Sequence, residues 1–299
     1  MYNDLLLKEI QSAELNLLKK LLEVCGKYGL KCWAEGGTLL GAVRHKGFIP
    51  WDDDVDVCMP REDYDRLIAI ADKEFSKPYF LQTAYTDKEY YRGQAQLRLD
   101  GTAAIRPSDS YRAFHQGIFI DIFPLDGVPE DDNELKKLVH DIMYTYKFMK
   151  AGTTNLLYSG RWSLIFRKLK SRYVIKKVGW GRYFSRSEEM LRKHSTANSK
   201  RWAEMSFSGS RYIFNREIFD KTILMDFEDT KIPVPAGYDI FLKTMFGDNY
   251  MTPIQAPSCH GTLVFDLHKS YKDVAPQVWN DYKHSAIKRL FNKIKGKNK

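Results

Sequence analysis

Residues 34–67 read AEGGTLLGAVRHKGFIPWDDDVDVCMPREDYDRL, and four aspartates, Asp52, Asp53, Asp54 and Asp56, fall inside five positions of that stretch. Adjacent carboxylates repel and raise one another's pKa, so the run calls for a compensating charge, and a divalent cation supplies one. A strand over 54–59 would point Asp54 and Asp56 to one side and send Val55 and Val57 into the core. Two residues apart along a strand is about 7 Å, which suits two carboxylates sharing Mg²⁺ or Mn²⁺. By the same alternation Asp53 reads as a loop residue facing away, and Asp52, behind Pro50, as a candidate general base. A solvated acidic loop is the bland alternative. Gly36-Gly37 upstream weighs against it, because a glycine pair ending a strand (30–34) and opening a short helix (Thr38 to Val43) lets backbone N–H groups approach phosphate oxygens.

A third carboxylate comes from GIFIDIFPLDG, where Asp121 is flanked by Ile and Phe. An isolated buried charge costs several kcal/mol, and joining Asp54 and Asp56 at one metal removes that cost. Asp126, between Leu125 and Gly127 just after Pro124, reads as a turn residue.

Working outward, apolar residues at steps of three or four (Leu6, Ile10, Ala13, Leu17, Leu21, Val24) predict an amphipathic helix from residue 4 to about 25, stopped at Gly26. Pro60 opens a helix with Glu62 and Asp63 in its first turn. Short strands are expected at 79–83, 95–100, 102–106 and 117–123, and helices at 130–150, 161–178 and 187–197. A last stretch holds a strand over 219–227 and a helix over 238–246. The class is α+β: residues 1–129 form a mixed-sheet catalytic core with flanking helices, and 130–299 a helical and α+β elaboration packed on it.

With 299 residues, 43% hydrophobic and 28% charged, the chain has the makings of an ordinary globular core. No run approaches the ~18 apolar residues of a membrane span, and the first twenty residues lack a signal peptide's apolar block, so a cytoplasmic protein is expected. Cys25, Cys32, Cys58 and Cys259 have neither disulfide-scaffold density nor zinc-ligand spacing and read as buried thiols. The net charge of +9 is local: segments 161–184 and 283–299 hold fifteen of the 47 basic residues and no acid, leaving 32 basic against 38 acidic elsewhere. Trp162, Ile165, Phe166, Leu169 and Tyr173 alternate with cations in the first segment and Ile287, Leu290, Phe291 and Ile294 in the second, the pattern of a helix lying on an anionic membrane surface. A solvated helix on the core is the plain alternative, and nucleic acid the weaker one.

The motif 34–67, LRLDGTAAI (97–105), HQGIFIDIFPLDGVP (115–129) and IPVPAGYDIFLKTMFGDNYMTP (232–253) together resemble the LicD/fukutin family, whose members are phosphotransferases on a nucleotidyltransferase fold. The resemblance implies transfer of a substituted phosphate to a hydroxyl of a cell-surface glycan or its lipid-linked precursor. CDP-choline is the favoured donor, with release of CMP, and CDP-linked ribitol, glycerol or ethanolamine are alternatives, as is NMP transfer. The family's metal pattern falls on Asp54, Asp56 and Asp121. Arg44, His45 and Lys46 lie where the family places basic residues beside the donor phosphates; Gly36, Gly37 and Thr38 at the opening of the helix, and Arg98 as a second phosphate clamp, complete the candidate donor side. A choline headgroup has no proton to donate and needs an aromatic cage; Trp51, Tyr111 and Phe114 lie nearest the acidic motifs. Glu228 and His260 are candidate acceptor-site groups. A lipid-linked acceptor would place the protein at the inner face of the membrane.

Overall fold

The computed structural model describes residues 3–155, 165–206, 211–255 and 263–296, with side chains through Ser285. It opens with helix α1 (Asp4–Tyr28), capped by the Asn3 side chain, which accepts Leu6 N–H at 2.7 Å, and ended by Gly29 in the left-handed region at φ 61°. There follow β1 (Trp33–Ala34), α2 (Gly36–His45), β2 (Asp56–Pro60), α3 (Arg61–Glu74), β3 (Tyr79–Gln82), β4 (Ala95–Leu99), β5 (Ala103–Ile105) and β6 (Phe119–Val128). The second half contributes α4 (Asp132–Thr153), α5 (Ile165–Val178), α6 (Trp180–Leu191), β7 (Arg201–Glu204), β8 (Ile213–Asn215), the hairpin β9 (Thr222–Phe227) and β10 (Thr230–Pro235), α7 (Tyr238–Phe246), β11 (Val264–Asp266) and α8 (Tyr271–Gly296).

Seven strands form the main sheet, in the order β1-β2-β6-β4-β3, with β7 joined to the far part of β6 and β8 to β7. Among the described strands only β2 and β6 run parallel, and their register sets Asp56 beside Asp121. The next strand continues the row, with Gln96 of β4 opposite Asp121. The molecule is thus α+β with a mixed sheet. Sheet and core draw on both halves of the chain: Leu17, Val57 and Ile122 share one apolar cluster with Trp202, Phe214, Phe219 and Phe241. A second cluster, including Tyr90, Phe114, Ile142, Met149 and Phe184, lies under α4 and α6.

Several elements depart from the sequence reading. β6 does not stop at 123 but runs through Pro124 to Val128, because β7 pairs with its second half. Asp126 is therefore a fully buried strand residue and not a turn, and its carboxylate takes both Nε (2.6 Å) and Nη2 (2.9 Å) of Arg61. The helix expected at 187–197 lies at 180–191. The strand expected from 219 begins at Thr222, after a 3-10 turn over Arg216–Phe219. β7, β8, β10 and β11 went unforeseen, being three to six residues each with little alternation to betray them. Cys25, Cys32 and Cys58 are buried free thiols; Cys259 lies outside the described residues.

Candidate functional site

The site forms where the start of β2, the start of β6 and the first turn of α2 meet. Asp56 is gripped through its backbone: its N–H donates to Thr38 Oγ1 at 2.8 Å and its carbonyl accepts Glu35 N–H at 3.0 Å. Asp121 N–H donates to the Val55 carbonyl at 3.0 Å, so the two aspartates are fixed by sheet bonding. The Thr38 hydroxyl, expected to meet substrate, instead ties α2 to β2. Gly36 adopts φ 54°, and a Cβ on it would lie 3.6 Å from Asp56 Oδ2. A Cβ on Gly37 would come within 2.7 Å of Asp52 Oδ2. The missing side chains let the carboxylates of Asp52 and Asp56 come close to the N-terminus of α2, where backbone N–H groups favour negative charge.

The tightest carboxylate group differs from the expected Asp54, Asp56 and Asp121. Asp52, Asp53 and Asp54 place ligand oxygens within 4.8 Å of one another, while Asp56 and Asp121 stand side by side on the adjoining strands. Asp53 does not face away: it is 4% exposed and belongs to the cluster. Asp54 lies ahead of the strand, which begins at Asp56. Burial, then the charge of Asp54, pushes the Asp52 carboxyl up to about 8. Burial and like charge act together there, and a divalent cation with oxygen ligands fits the donor set.

Asp121 is held by amides. Gln96 Nε2 donates to its Oδ1 at 2.8 Å and Gln94 Nε2 approaches at 3.5 Å. Arg98 stands behind them and does not reach out as a phosphate clamp. It is 3% exposed, donating through Nε to Gln82 Oε1 (2.7 Å), through Nη1 to the Gly117 carbonyl (2.6 Å) and through Nη2 to Gln96 Oε1. Burial lowers its pKa to about 10. Arg98 thus orients Gln96, and Gln96 orients Asp121.

Arg44, His45 and Lys46 occupy the other end of α2, roughly 13 Å along the axis from Gly36 at 1.5 Å per residue. Arg44 Nη1 donates to the Tyr250 carbonyl at 3.0 Å, and burial lowers its pKa. Burial and Arg44 together lower that of His45. Lys46 caps the helix in the left-handed region and its carbonyl accepts Glu228 N–H at 2.8 Å. These three residues are therefore not assembled with Gly36 and the aspartates. Glu228 braces this loop: its Oε1 accepts Phe48 N–H at 2.9 Å, in space that a side chain on Gly47 would fill. His260 lies outside the described residues.

The three aromatic candidates do not converge. Trp51 packs against the first apolar cluster, and Phe114 is buried in the second, edge-on to Tyr90. Tyr111 rests on Trp279 at 4.9 Å, in a pocket of about 170 Å³ that Arg112 and Lys150 also line. Asp109, paired with Arg112 at 2.9 Å, lines that pocket too, and Trp51 and Phe114 have no part in it. Sequence reasoning also missed two buried acids. Glu35, in the N-cap position of α2, turns inward and is raised by burial and then by Glu204. Glu14 faces the aspartates from α1, and its place on the helical stripe was the available signal.

Comparison with known proteins adds to this geometry. Residues 29–156 match the family described as LicD/FKTN/FKRP, nucleotidyltransferase domain. The chain is 27% identical over 255 residues, 83% of its own length and 93% of the other's, to the lipopolysaccharide cholinephosphotransferase LicD of Haemophilus influenzae. It is 46% identical over 70 residues, 23% of this chain and 24% of the other, to the uncharacterized protein RP689 of Rickettsia prowazekii. A shorter match, 57% over 35 residues, 12% of this chain and 7% of the other, is to the ribitol 5-phosphate transferase FKRP of Homo sapiens.

Proposed function

We propose that this chain, which belongs to the LicD/FKTN/FKRP family through residues 29–156, transfers phosphocholine from CDP-choline to a glycan hydroxyl, releasing CMP, on a nucleotidyltransferase fold. The observation that carries the reading is the row Asp56, Asp121 and Gln96 across three strands, with the Asp52–Asp54 cluster and the open N-terminus of α2 beside it. Choline is preferred over ribitol because the choline-transferring relative matches along nearly its whole length.

Asp54, Asp56 and Asp121 would hold Mg²⁺ or Mn²⁺, which when bound neutralises charge on the bridging phosphate oxygens. The protein's own groups do the rest. Backbone N–H groups at Gly36 and Gly37 would meet the diphosphate at the N-terminus of α2. Gln96 and Arg98 keep the Asp121 carboxylate from turning away. The acceptor hydroxyl oxygen bonds to the phosphocholine phosphorus, the bond to the CMP oxygen breaks, and Asp52 takes the hydroxyl proton.

A lipid-linked acceptor fits α5. Phe166, Leu169 and Tyr173 are exposed there among cations, while Lys168 and Ser171 face the protein, the Ser171 hydroxyl donating to the Phe148 carbonyl. No helix among the described residues is long and apolar enough to cross a membrane, so contact would be with the surface. Trp162 lies outside the described residues, as do the side chains of the 286–299 tail.

The test is turnover: with Mg²⁺, a glycan acceptor and a panel of CDP-choline, CDP-ribitol, CDP-glycerol and CDP-ethanolamine, CMP release is expected with CDP-choline. Release with CDP-ribitol alone overturns the donor assignment, and pyrophosphate release from a nucleoside triphosphate overturns the reaction type. Flotation with anionic vesicles checks α5, and absence of binding removes the membrane role.

A further inference from the structure

Asp4, Leu7, Lys8, Gln11, Ser12 and Leu15 follow one another at the three- and four-residue steps that put side chains on one face of α1, a stripe about 16 Å long at 1.5 Å per residue. That stripe is one wall of a groove of about 680 Å³, and Phe48, Pro50 and Glu228 form the other. The second wall is tied in place: Glu228 Oε1 accepts Phe48 N–H at 2.9 Å, and the next residue, Asp229, pairs with Lys19 of α1 at 2.7 Å. The groove abuts the aspartate turn, because Gln11 Nε2 donates to the Asp52 carbonyl at 2.9 Å and Asp52 N–H donates at 2.9 Å to the carbonyl of Ile49, between Phe48 and Pro50.

The lining states what fits. Asp4 and Glu228 set two carboxylates against the one ammonium of Lys8, and that excess of negative charge repels a diphosphate. A hydrocarbon tail would leave the same polar groups stranded. Leu7, Leu15, Phe48 and Pro50 supply apolar ground, while the carboxylates accept, Lys8 donates, and Gln11 and Ser12 do both. A sugar matches that mixture, since its hydroxyls donate and accept and its ring faces carry C–H groups. The volume lies within the roughly 300–1,000 Å³ of pockets that enclose drug-sized ligands, so it holds a short chain of sugars and not one ring alone.

We propose that this groove binds the acceptor: a short neutral glycan lies along α1, with the sugar that receives the phosphocholine at the Asp52 end. The inference rests on the transferase reading of the aspartates and adds to it a substrate class and a binding surface, one wall of which lies outside the family-matched segment 29–156.

The experiment titrates the full chain calorimetrically, without nucleotide, with maltotriose, cellotriose, tri-N-acetylchitotriose, their monosaccharides and trigalacturonate. It is repeated on S12W and K8W, which put an indole into the groove from exposed positions of α1, so that either serves if the other fails to fold. At least one neutral trisaccharide is expected to bind, its monosaccharide and trigalacturonate at least about tenfold more weakly, and each variant to weaken that trisaccharide at least about tenfold. In CMP release with the same trisaccharide as acceptor, the variants are expected to raise the acceptor KM by a like factor while the KM for CDP-choline and Tm hold, a split that a merely structural lesion does not give. Binding of no neutral trisaccharide, or equal binding by wild type and variants, overturns the groove and leaves the proposed function standing on its own CMP assay. An acceptor KM unchanged in variants that have lost the trisaccharide overturns the acceptor role. Binding without CMP release from any CDP-alcohol overturns the proposed function and leaves the groove as a glycan site.

Discussion

Two groups of buried acids lie toward the two ends of β6, and they are kept in different ways. Asp126 and Glu188, at the far end, surround Arg61: its Nε and Nη2 reach Asp126, its Nη1 reaches Glu188 at 3.1 Å, and the chain supplies the counter-charge. At the near end, the charges that bear most on Glu14 and Asp52 are those of neighbouring aspartates. One centre is complete in the polypeptide; the other is shaped for something to be added. Burial alone does not separate them, since Asp126 is also pushed up, to about 6, in spite of Arg61. The difference lies in the sign of the neighbouring charge: Arg61 pulls Asp126 down, whereas neighbouring aspartates push Glu14 and Asp52 up.

The largest expected effect is on turnover. Asp56→Asn keeps the sheet bonds of its backbone and is expected to lower CMP release by roughly 10³-fold or more, measured beside a circular dichroism spectrum that remains native. A variant with near-normal release would place Asp56 on the structural side of the comparison. Arg61→Met strips the counter-charge from the other centre and is expected to cost about 3–5 kcal/mol in denaturant unfolding; a loss below about 1 kcal/mol would mean that Asp126 and Glu188 hold themselves by other bonds.

pH sharpens the contrast. Glu14 and Asp52 hold protons more tightly folded than unfolded, so the stability tied to them is complete below about pH 4 and is lost as pH rises, for Asp52 toward about 8. Asp126 behaves alike but is exhausted near pH 6. In EDTA, unfolding free energy is therefore expected to fall between pH 6 and 8 by up to about 1.4 kcal/mol per unit for each group titrating, and saturating Mn²⁺ to flatten the slope. A flat profile in EDTA would remove the near-end acids from the comparison. The smallest effect is one of sign: Asp53→Asn in EDTA is expected to raise stability by about 1 kcal/mol by relieving like-charge repulsion, whereas Asp126→Asn lowers it.

Much of the near end was legible in sequence. The Asp52–Asp56 run, the glycine pair and the apolar-flanked Asp121 each carried a local signal, and the sheet does set Asp56 beside Asp121. What stayed hidden depended on partners distant in sequence. Asp126 read as a turn because β7, some eighty residues on, is what extends β6. Arg98 read as a phosphate clamp because Gln82 and Gly117, which take its guanidinium, come beside it only when the sheet forms. Glu14 was the avoidable miss: positions 10, 14, 17 and 21 keep the helical period as well as 10, 13, 17 and 21, and the apolar bias favoured the alanine. The aromatic cage failed for another reason, since nearness in sequence says nothing of which core an aromatic joins.

The brace that Glu228 places on Phe48 spans 180 positions. At 5–20 residues per second, a ribosome needs roughly ten to forty seconds to travel from one to the other. Through that interval the loop ahead of the aspartates lacks this brace, although Gln11 and Thr38 already have their partners in the chain. The loop that leads into the aspartates therefore takes its final shape late in synthesis, once the β9–β10 hairpin has cleared the exit tunnel.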